Sequence, residues 1–141
     1  MKILLIAIGK PKSKPVRELV ADYAKRISHY LPFEIKLCRD ERQAIDSLSP
    51  SDFVVILDER GKEKSSEELA KFISDHALRG TKRAIFFIGG ENGVEKEMRE
   101  RAQLVMGLSR MTFPHELVQA IICEQIYRAC TINRGEPYHR V

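Results

Sequence analysis

The chain has 141 residues, 43% hydrophobic and 31% charged, which suits one domain with a sizeable core and excludes a disordered or collagen-like chain. Lys and Arg number 24 against 20 Asp and Glu, a net charge of +4 that is compatible with a polyanionic partner without demanding one. The longest apolar run, Ile3–Ile8, is far short of the ~18 residues of a membrane span, and Lys10, Lys12 and Lys14 stand where a signal peptide would be cleaved, so a cytoplasmic protein is expected.

Lys2–Ile8 reads as a buried strand, followed by a basic loop with Lys10, Lys12, Lys14 and Arg17. Val16, Leu19, Val20, Tyr23, Ala24, Ile27 and Leu31 recur at three- and four-residue spacing, which predicts an amphipathic helix with Pro15 in its first turn. Phe33–Cys38 alternates apolar and polar as a half-exposed strand does. Between Arg39 and Asp52 only a short helix is supported, by Ala44, Ile45 and Leu48. Phe53–Leu57 is a wholly apolar third strand, closed by Asp58, Glu59, Arg60 and Gly61. Ser65-Ser66-Glu67-Glu68 fits a capping box ahead of a helix carrying Leu69, Phe72, Ile73, Ala77 and Leu78. Ala84–Ile88 is the fourth strand, a charged helix covers Val94–Ala102, and a weaker fifth strand lies near Leu104–Leu108. Pro114 opens the last helix, Glu116 to about Asn133, and Gly135 caps it. This helix is apolar over much of its circumference (Ile121, Ile122, Ile126, Tyr127), more than one sheet face covers, so a subunit partner is expected.

Strand–helix alternation with wholly apolar strands predicts an α/β single domain, a mostly parallel sheet with helices on both faces. Ligands in such sheets bind beyond the carboxyl ends of the strands, so the informative residues should follow Ile8, Leu57, Ile88 and Leu108. Three segments do. IGGENG (Ile88–Gly93) offers backbone N–H groups between a strand and a helix, but it is neither G-x-G-x-x-G nor a phosphate loop, and Glu91 opposes a pyrophosphate. A neutral or cationic group is the better guest there, unless the turn is simply structural. LDERGK (Leu57–Lys62) is either a solvated turn or a segment in which Leu57 meets the ligand through its backbone while Gly61 permits a tight bend. LSRMTFPHEL (Leu108–Leu117) interleaves Ser109, Arg110, Thr112 and His115 with Met111 and Phe113, a mixture suited to a heteroaromatic ring as well as to a plain strand-to-helix loop.

Cys38, Cys123 and Cys130 form no C-x-x-C pair and are expected to be buried reduced thiols. His29 and His76 fall on helix faces expected to be exposed, and no histidine has metal-ligand spacing, so no metal is expected. Nothing resembles a nucleophile elbow or a Cys–His pair.

IGGENG, then LSRMTFPHELVQAIICEQIYRA, then RGEPYHR near the end, together with MKILLIAIGKPK and LDERGK, make the chain resemble the ribosomal RNA large subunit methyltransferase H family of SPOUT methyltransferases. The likeness spans most of the chain, with a shorter stretch between Cys38 and Asp52 than relatives carrying an extra charged helix. It implies a C-terminal trefoil knot, a homodimer, S-adenosylmethionine as methyl donor without a metal, and N3 of a pseudouridine in 23S rRNA as acceptor. Matched by motif, Leu57, Gly89, Gly90, Leu108, Ser109, Arg110, Met111, Thr112 and Phe113 would hold the donor. The acceptor N3–H must lose a proton, so a base or oxyanion-stabilising cations are required. The candidates are His139, Arg140, Tyr138, Arg128 and His115, with the tail Tyr138–Arg140 favoured. The basic loop Lys10–Arg17 would meet the RNA backbone. Two other readings compete: a non-catalytic RNA- or ribosome-binding module, and a nucleotide-binding α/β enzyme that uses IGGENG for phosphate.

Overall fold

Along the first strand, β1 (Lys2–Ile8), Ile3, Leu5 and Ala7 alternate with Leu4 and Ile6, and all five are buried. A strand buried on both faces belongs inside a sheet with a layer on each side. The computed structural model of the chain describes residues 1–140 and places β1 there.

Four further strands, β2 (Phe33–Cys38), β3 (Phe53–Glu63), β4 (Arg83–Ile88) and β5 (Leu104–Gly107), complete a sheet in the order β2-β1-β4-β3-β5. All four pairings are parallel. The helices are α1 (Lys14–Ile27), α2 (Glu41–Asp46), α3 (Ser66–Leu78), α4 (Lys96–Arg101) and α5 (His115–Arg134). One face buries Ile3, Leu5, Val55, Leu57, Phe86 and Ile88 under α1, α3 and α5; the other buries Leu4, Ile6, Val54, Ile56, Ile85 and Phe87 under α2 and α4. The chain therefore leaves β4 toward one face and leaves β3 and β5 toward the other. A crevice opens at the carboxyl ends where these paths part.

Four departures from expectation have physical causes. First, β3 does not stop at Leu57 but continues to Glu63; after an irregularity, Lys62 and Glu63 pair with Met106 and Gly107 of β5. The crossing is tight. A Cβ on Gly61 would lie 2.7 Å from the backbone of Val105 and 2.8 Å from that of Met106, so only glycine fits. Secondly, much of the apolar surface of α5 is covered within the chain: Ile122 and Ile126 are fully buried among α1, α3 and the sheet, and Tyr127 packs against Tyr23, Tyr30 and Tyr138, while Leu117 stays exposed and Ile121 half-buried. Thirdly, the short tail, which without the family resemblance would be read as disordered, is packed: Tyr138 and His139 are half-buried against α5 and α3.

Fourthly, His76 is buried, not exposed as its helix position suggested. Its ring stacks on Phe53 and Phe72 with centroids 4.2 and 4.4 Å away, and Nδ1 is 2.8 Å from the Thr81 hydroxyl. Burial, reinforced by the charge of Arg79, pushes its pKa below 6.5. The unfolded chain therefore binds the proton first as pH falls, so stability present above the unfolded value drains as acid is added. Between about pH 7.5 and 5.5, His76→Phe should flatten the decline in melting temperature; parallel profiles for variant and wild type would contradict this.

The cysteines behave as expected. All three are buried and free, and burial pushes the Cys123 thiol up to about 12 and the Cys130 thiol up to about 11. Beneath the sheet, at the end away from the crevice, Asp52 accepts from Arg83 Nε at 2.9 Å and Nη2 at 2.6 Å, and from the Ser49 N–H at 2.7 Å. Burial by itself would raise the Asp52 carboxyl, but these hydrogen bonds outweigh it and hold the group below its ordinary value. Asp52→Asn should cost about 2 kcal/mol in urea unfolding at neutral pH, and a loss under about 0.5 kcal/mol would sink this reading.

Candidate donor-binding site

The three segments singled out beyond β3, β4 and β5 converge on one cavity of about 280 Å³. That is close to the lower end of small-ligand sites. Leu57, Gly89, Gly90, Leu108, Ser109, Thr112 and Phe113 line it, as does His115 of α5. Arg110 and Met111 do not: both side chains are exposed, and the Arg110 guanidinium stands 3.5 Å from Glu63. Glu91, weighed from sequence as the charge in the glycine turn, lines it too, as do Asp58, Glu59 and Arg60, which were not among the residues expected to hold the donor. For Asp58, Glu59 and Arg60 the cue was their place after a wholly apolar strand.

Local packing shapes the cavity. Gly89 needs to be glycine because a Cβ would lie 2.9 Å from both the Gly93 carbonyl oxygen and Val94 Cγ2. The Gly89–Gly93 turn thus folds back on itself and presents its backbone to the cavity, with Gly90 and Gly93 bridged. His115 Nδ1 lies 2.7 Å from the Gly89 carbonyl oxygen. A carbonyl only accepts, so Nδ1 carries the hydrogen. The first residue of α5 is in this way tied to the glycine turn.

A second tie joins the turn to the β3 extension. Arg99 of α4 donates from Nη2 to Asp58 Oδ2 at 2.6 Å and from Nε to the Val94 carbonyl at 3.3 Å. Burial would raise the Asp58 carboxyl, but Arg99 together with the backbone N–H and guanidinium of Arg60 overrides that and holds it at about 2. At neutral pH Asp58 is therefore ionised, with its charge balanced by Arg99.

The residues expected on the acceptor side form a separate cluster. Arg128 donates to Glu124 from Nε at 2.8 Å and from Nη2 at 2.7 Å, lies over the Tyr138 ring at 4.8 Å, and directs Nη1 at His139 Nδ1 at 3.0 Å. A guanidinium only donates, so His139 Nδ1 accepts and its Nε2–H points at Glu67 Oε1, 2.8 Å away. The Tyr138 hydroxyl reaches Tyr23 and Glu124; burial, with these two partners, pushes its pKa well above the ordinary tyrosine value. Arg140 is exposed. Arg128 lies 13 positions along α5 from His115, about 20 Å of helix. Within one chain the tail cluster and the cavity are therefore apart. Glu124 had no signal in the sequence beyond its i,i+4 spacing to Arg128.

The basic loop is ordered by its neighbours. Arg17 Nη1 donates to the carbonyls of Pro11 at 3.0 Å and Lys12 at 2.8 Å, and the Lys12 N–H donates to Glu116 of α5. Arg17 is thus spent on the loop itself, leaving Lys10, Lys12 and Lys14 exposed beside the crevice. Among the described residues no cluster of side chains has the composition of a metal site, and no helix is long and apolar enough to cross a membrane.

Known proteins resemble the chain over nearly its whole length. The family model described as predicted SPOUT methyltransferase matches residues 1–139. A protein of Trichlorobacter lovleyi named ribosomal RNA large subunit methyltransferase H is 41% identical over 152 residues, covering 99% of both chains. One of the same name from Coprothermobacter proteolyticus is 40% identical over 140 residues, 99% of this chain and all of that one. Among solved structures, a probable methylase family protein from Haemophilus influenzae superposes with a TM-score of 0.57 at 11% identity, covering 99% of this chain and 70% of that one. The SpoU methyltransferase AviRb of Streptomyces viridochromogenes, solved with AdoMet, gives 0.53 at 10% identity, covering 97% and 59%. At these identities the two structures speak for the fold.

Proposed function

The chain belongs to the SPOUT methyltransferase family, whose members take their methyl group from S-adenosylmethionine, and from that premise we propose that it methylates N3 of a pseudouridine in 23S rRNA of the large ribosomal subunit. The observation that carries the reading is the convergence of the β3, β4 and β5 loops on one cavity that offers backbone and apolar groups beside a rim of polar and charged side chains. Those residues fit the donor. Leu57, Leu108, Phe113 and Val118 provide an apolar slot for an adenine, and the turn at Gly89 brings bare backbone alongside. A triphosphate would meet Glu59 and Glu91, which disfavours the nucleotide-binding alternative. The sulfonium supplies its own leaving group, so the protein's task is to align the acceptor nitrogen with the methyl carbon, an effect worth ~7–11 kcal/mol when the geometry is good.

The acceptor nitrogen must be deprotonated. His139 serves as the base, Arg128 and Arg140 stabilise the negative charge left on the uracil ring, and Tyr138 holds the group in place. For His139 to accept a proton at Nδ1, the Arg128 contact must be exchanged for substrate. The same Arg128 guanidinium then turns to the ring oxygen. His115, its Nδ1–H committed to Gly89, shapes the donor turn. The separation of about 20 Å along α5 leads to the homodimer: a second copy brings its tail cluster to the cavity of the first. The tight crossing of Asp58–Glu63 over β5 is where the trefoil knot would draw closed. Lys10, Lys12 and Lys14 meet the RNA backbone.

The test is transfer of tritium from labelled S-adenosylmethionine to ribosomes of a strain lacking this enzyme, followed by mapping. Label on N3 of a single 23S pseudouridine is expected. Label on another nucleotide, or none, would overturn the assignment.

A further inference from the structure

The cavity is lined by three carboxylates, and they are not equivalent. Asp58 is neutralised by Arg99 at 2.6 Å and faces Arg60 at 3.4 Å. Glu59 and Glu91 are exposed at the lip, and among the described residues neither has a cationic partner within ion-pair distance. Glu59 is held at the wall by the Thr112 hydroxyl, which donates to its Oε2, and Glu91 sits in the turn between Gly90 and Gly93. The one lining guanidinium, Arg60, is already turned toward Asp58. Asp58, Glu59 and Glu91 stand against the guanidinium groups of Arg60 and Arg99, so the lip carries one net negative charge, placed on the side of the two glutamates.

Resting on the donor assignment above, we infer that Glu59 and Glu91 are specificity-determining residues that select the cationic methyl donor over its neutral product. When methyl passes to the acceptor nitrogen, the C–S bonding pair stays on sulfur, and the sulfonium becomes an uncharged thioether. The adenosyl ligand therefore loses one positive charge while its shape hardly changes. Two free carboxylates at the lip attract the first form and are indifferent to the second. Through solvent, at a separation of roughly 6 Å, each carboxylate contributes about threefold in affinity, about tenfold for the pair. Each turnover thus weakens the hold on the spent ligand just when it must leave, which limits product inhibition. The exposure of both residues makes their neutral amides harmless to the fold.

The experiment is calorimetric titration of the full-length protein with S-adenosylmethionine, S-adenosylhomocysteine and sinefungin, which bears an ammonium where the donor has its sulfonium. Glu59→Gln/Glu91→Gln should weaken the two cationic ligands about tenfold and leave S-adenosylhomocysteine within about twofold. Glu34→Gln, the same charge change at the far end of the sheet on β2, should move none of them. In the wild type, raising salt from about 0.02 to 0.5 M should narrow the donor-to-product affinity ratio. Equal weakening of all three ligands, or an unchanged ratio in the double variant, would overturn the inference while leaving the donor assignment intact. Failure of the wild type to bind any of the three would overturn the donor assignment itself, and this inference with it.

Discussion

Gly61→Ala is expected to lower the melting temperature by about 10 °C and to abolish donor binding in the same stroke. The added methyl has nowhere to go. It would lie 2.7 Å from the Val105 carbonyl carbon and oxygen, and both sides of the contact are backbone in paired strands. Overpacking against side chains costs about 1–3 kcal/mol, and here the obstacle lacks a rotamer to relieve it, so at least about 3 kcal/mol follows. At roughly 2–4 °C per kcal/mol for a chain of this size, the fall in melting temperature is about 10 °C. Asp58–Glu63 would be forced off β5, and the cavity wall formed by Asp58, Glu59 and Arg60 would move with it. Thermal melts with and without S-adenosylmethionine measure both effects. A variant that melts like the wild type, or is still stabilised by donor, would show that the crossing is slack.

The second large effect is on turnover alone. Arg128→Ala and His139→Ala should each reduce methyl transfer to ribosomes by about 100-fold or more, the scale of a lost proton acceptor or of a lost oxyanion partner. Donor affinity should stay within about twofold, because neither residue lines the cavity. A subunit crippled at Gly89, mixed with one carrying His139→Ala, should regain activity in the mixed dimer. Loss of donor binding in Arg128→Ala would mean that the tail cluster supports the fold, not the chemistry; silence of the mixed dimer would remove the shared site.

Much of the architecture was legible in the residues because the strands are buried twice over. Ile3–Ile8, Phe53–Leu57 and Ala84–Ile88 are apolar on both faces, and only a two-sided parallel sheet accommodates that. The capping box at Ser65 and Glu68 is present as read. The misses share a cause, tertiary contacts between residues far apart in sequence. The second half of β3, Asp58–Glu63, is polar and lacks periodicity; it is a strand only because β5 lies beside it. His76 looked solvated on its helix until Phe53, from another strand, closed over it. The tail is held by Glu67, Tyr23 and Glu124, none of them near it in sequence.

The candidate site divides the same way. Motif spacing marked the three loops, and all three meet, but spacing did not separate side chains that face the cavity from those that face away. Arg110 and Met111 lie between Ser109 and Thr112, which line it, yet both turn to solvent. A loop reverses direction within two residues, so neighbours in sequence diverge in space. Asp58 looked like one more charge in a solvated turn, whereas the guanidinium of Arg99, on another element, makes it a strut of the pocket.

A crystal structure of the protein saturated with S-adenosylmethionine tests the account most directly. The donor should lie between Leu57–Arg60, Ile88–Gly93 and Leu108–Phe113, its adenine against Leu108 and Phe113 and its methyl group open to the solvent side. Donor density at any other surface, with this cavity vacant, would contradict it.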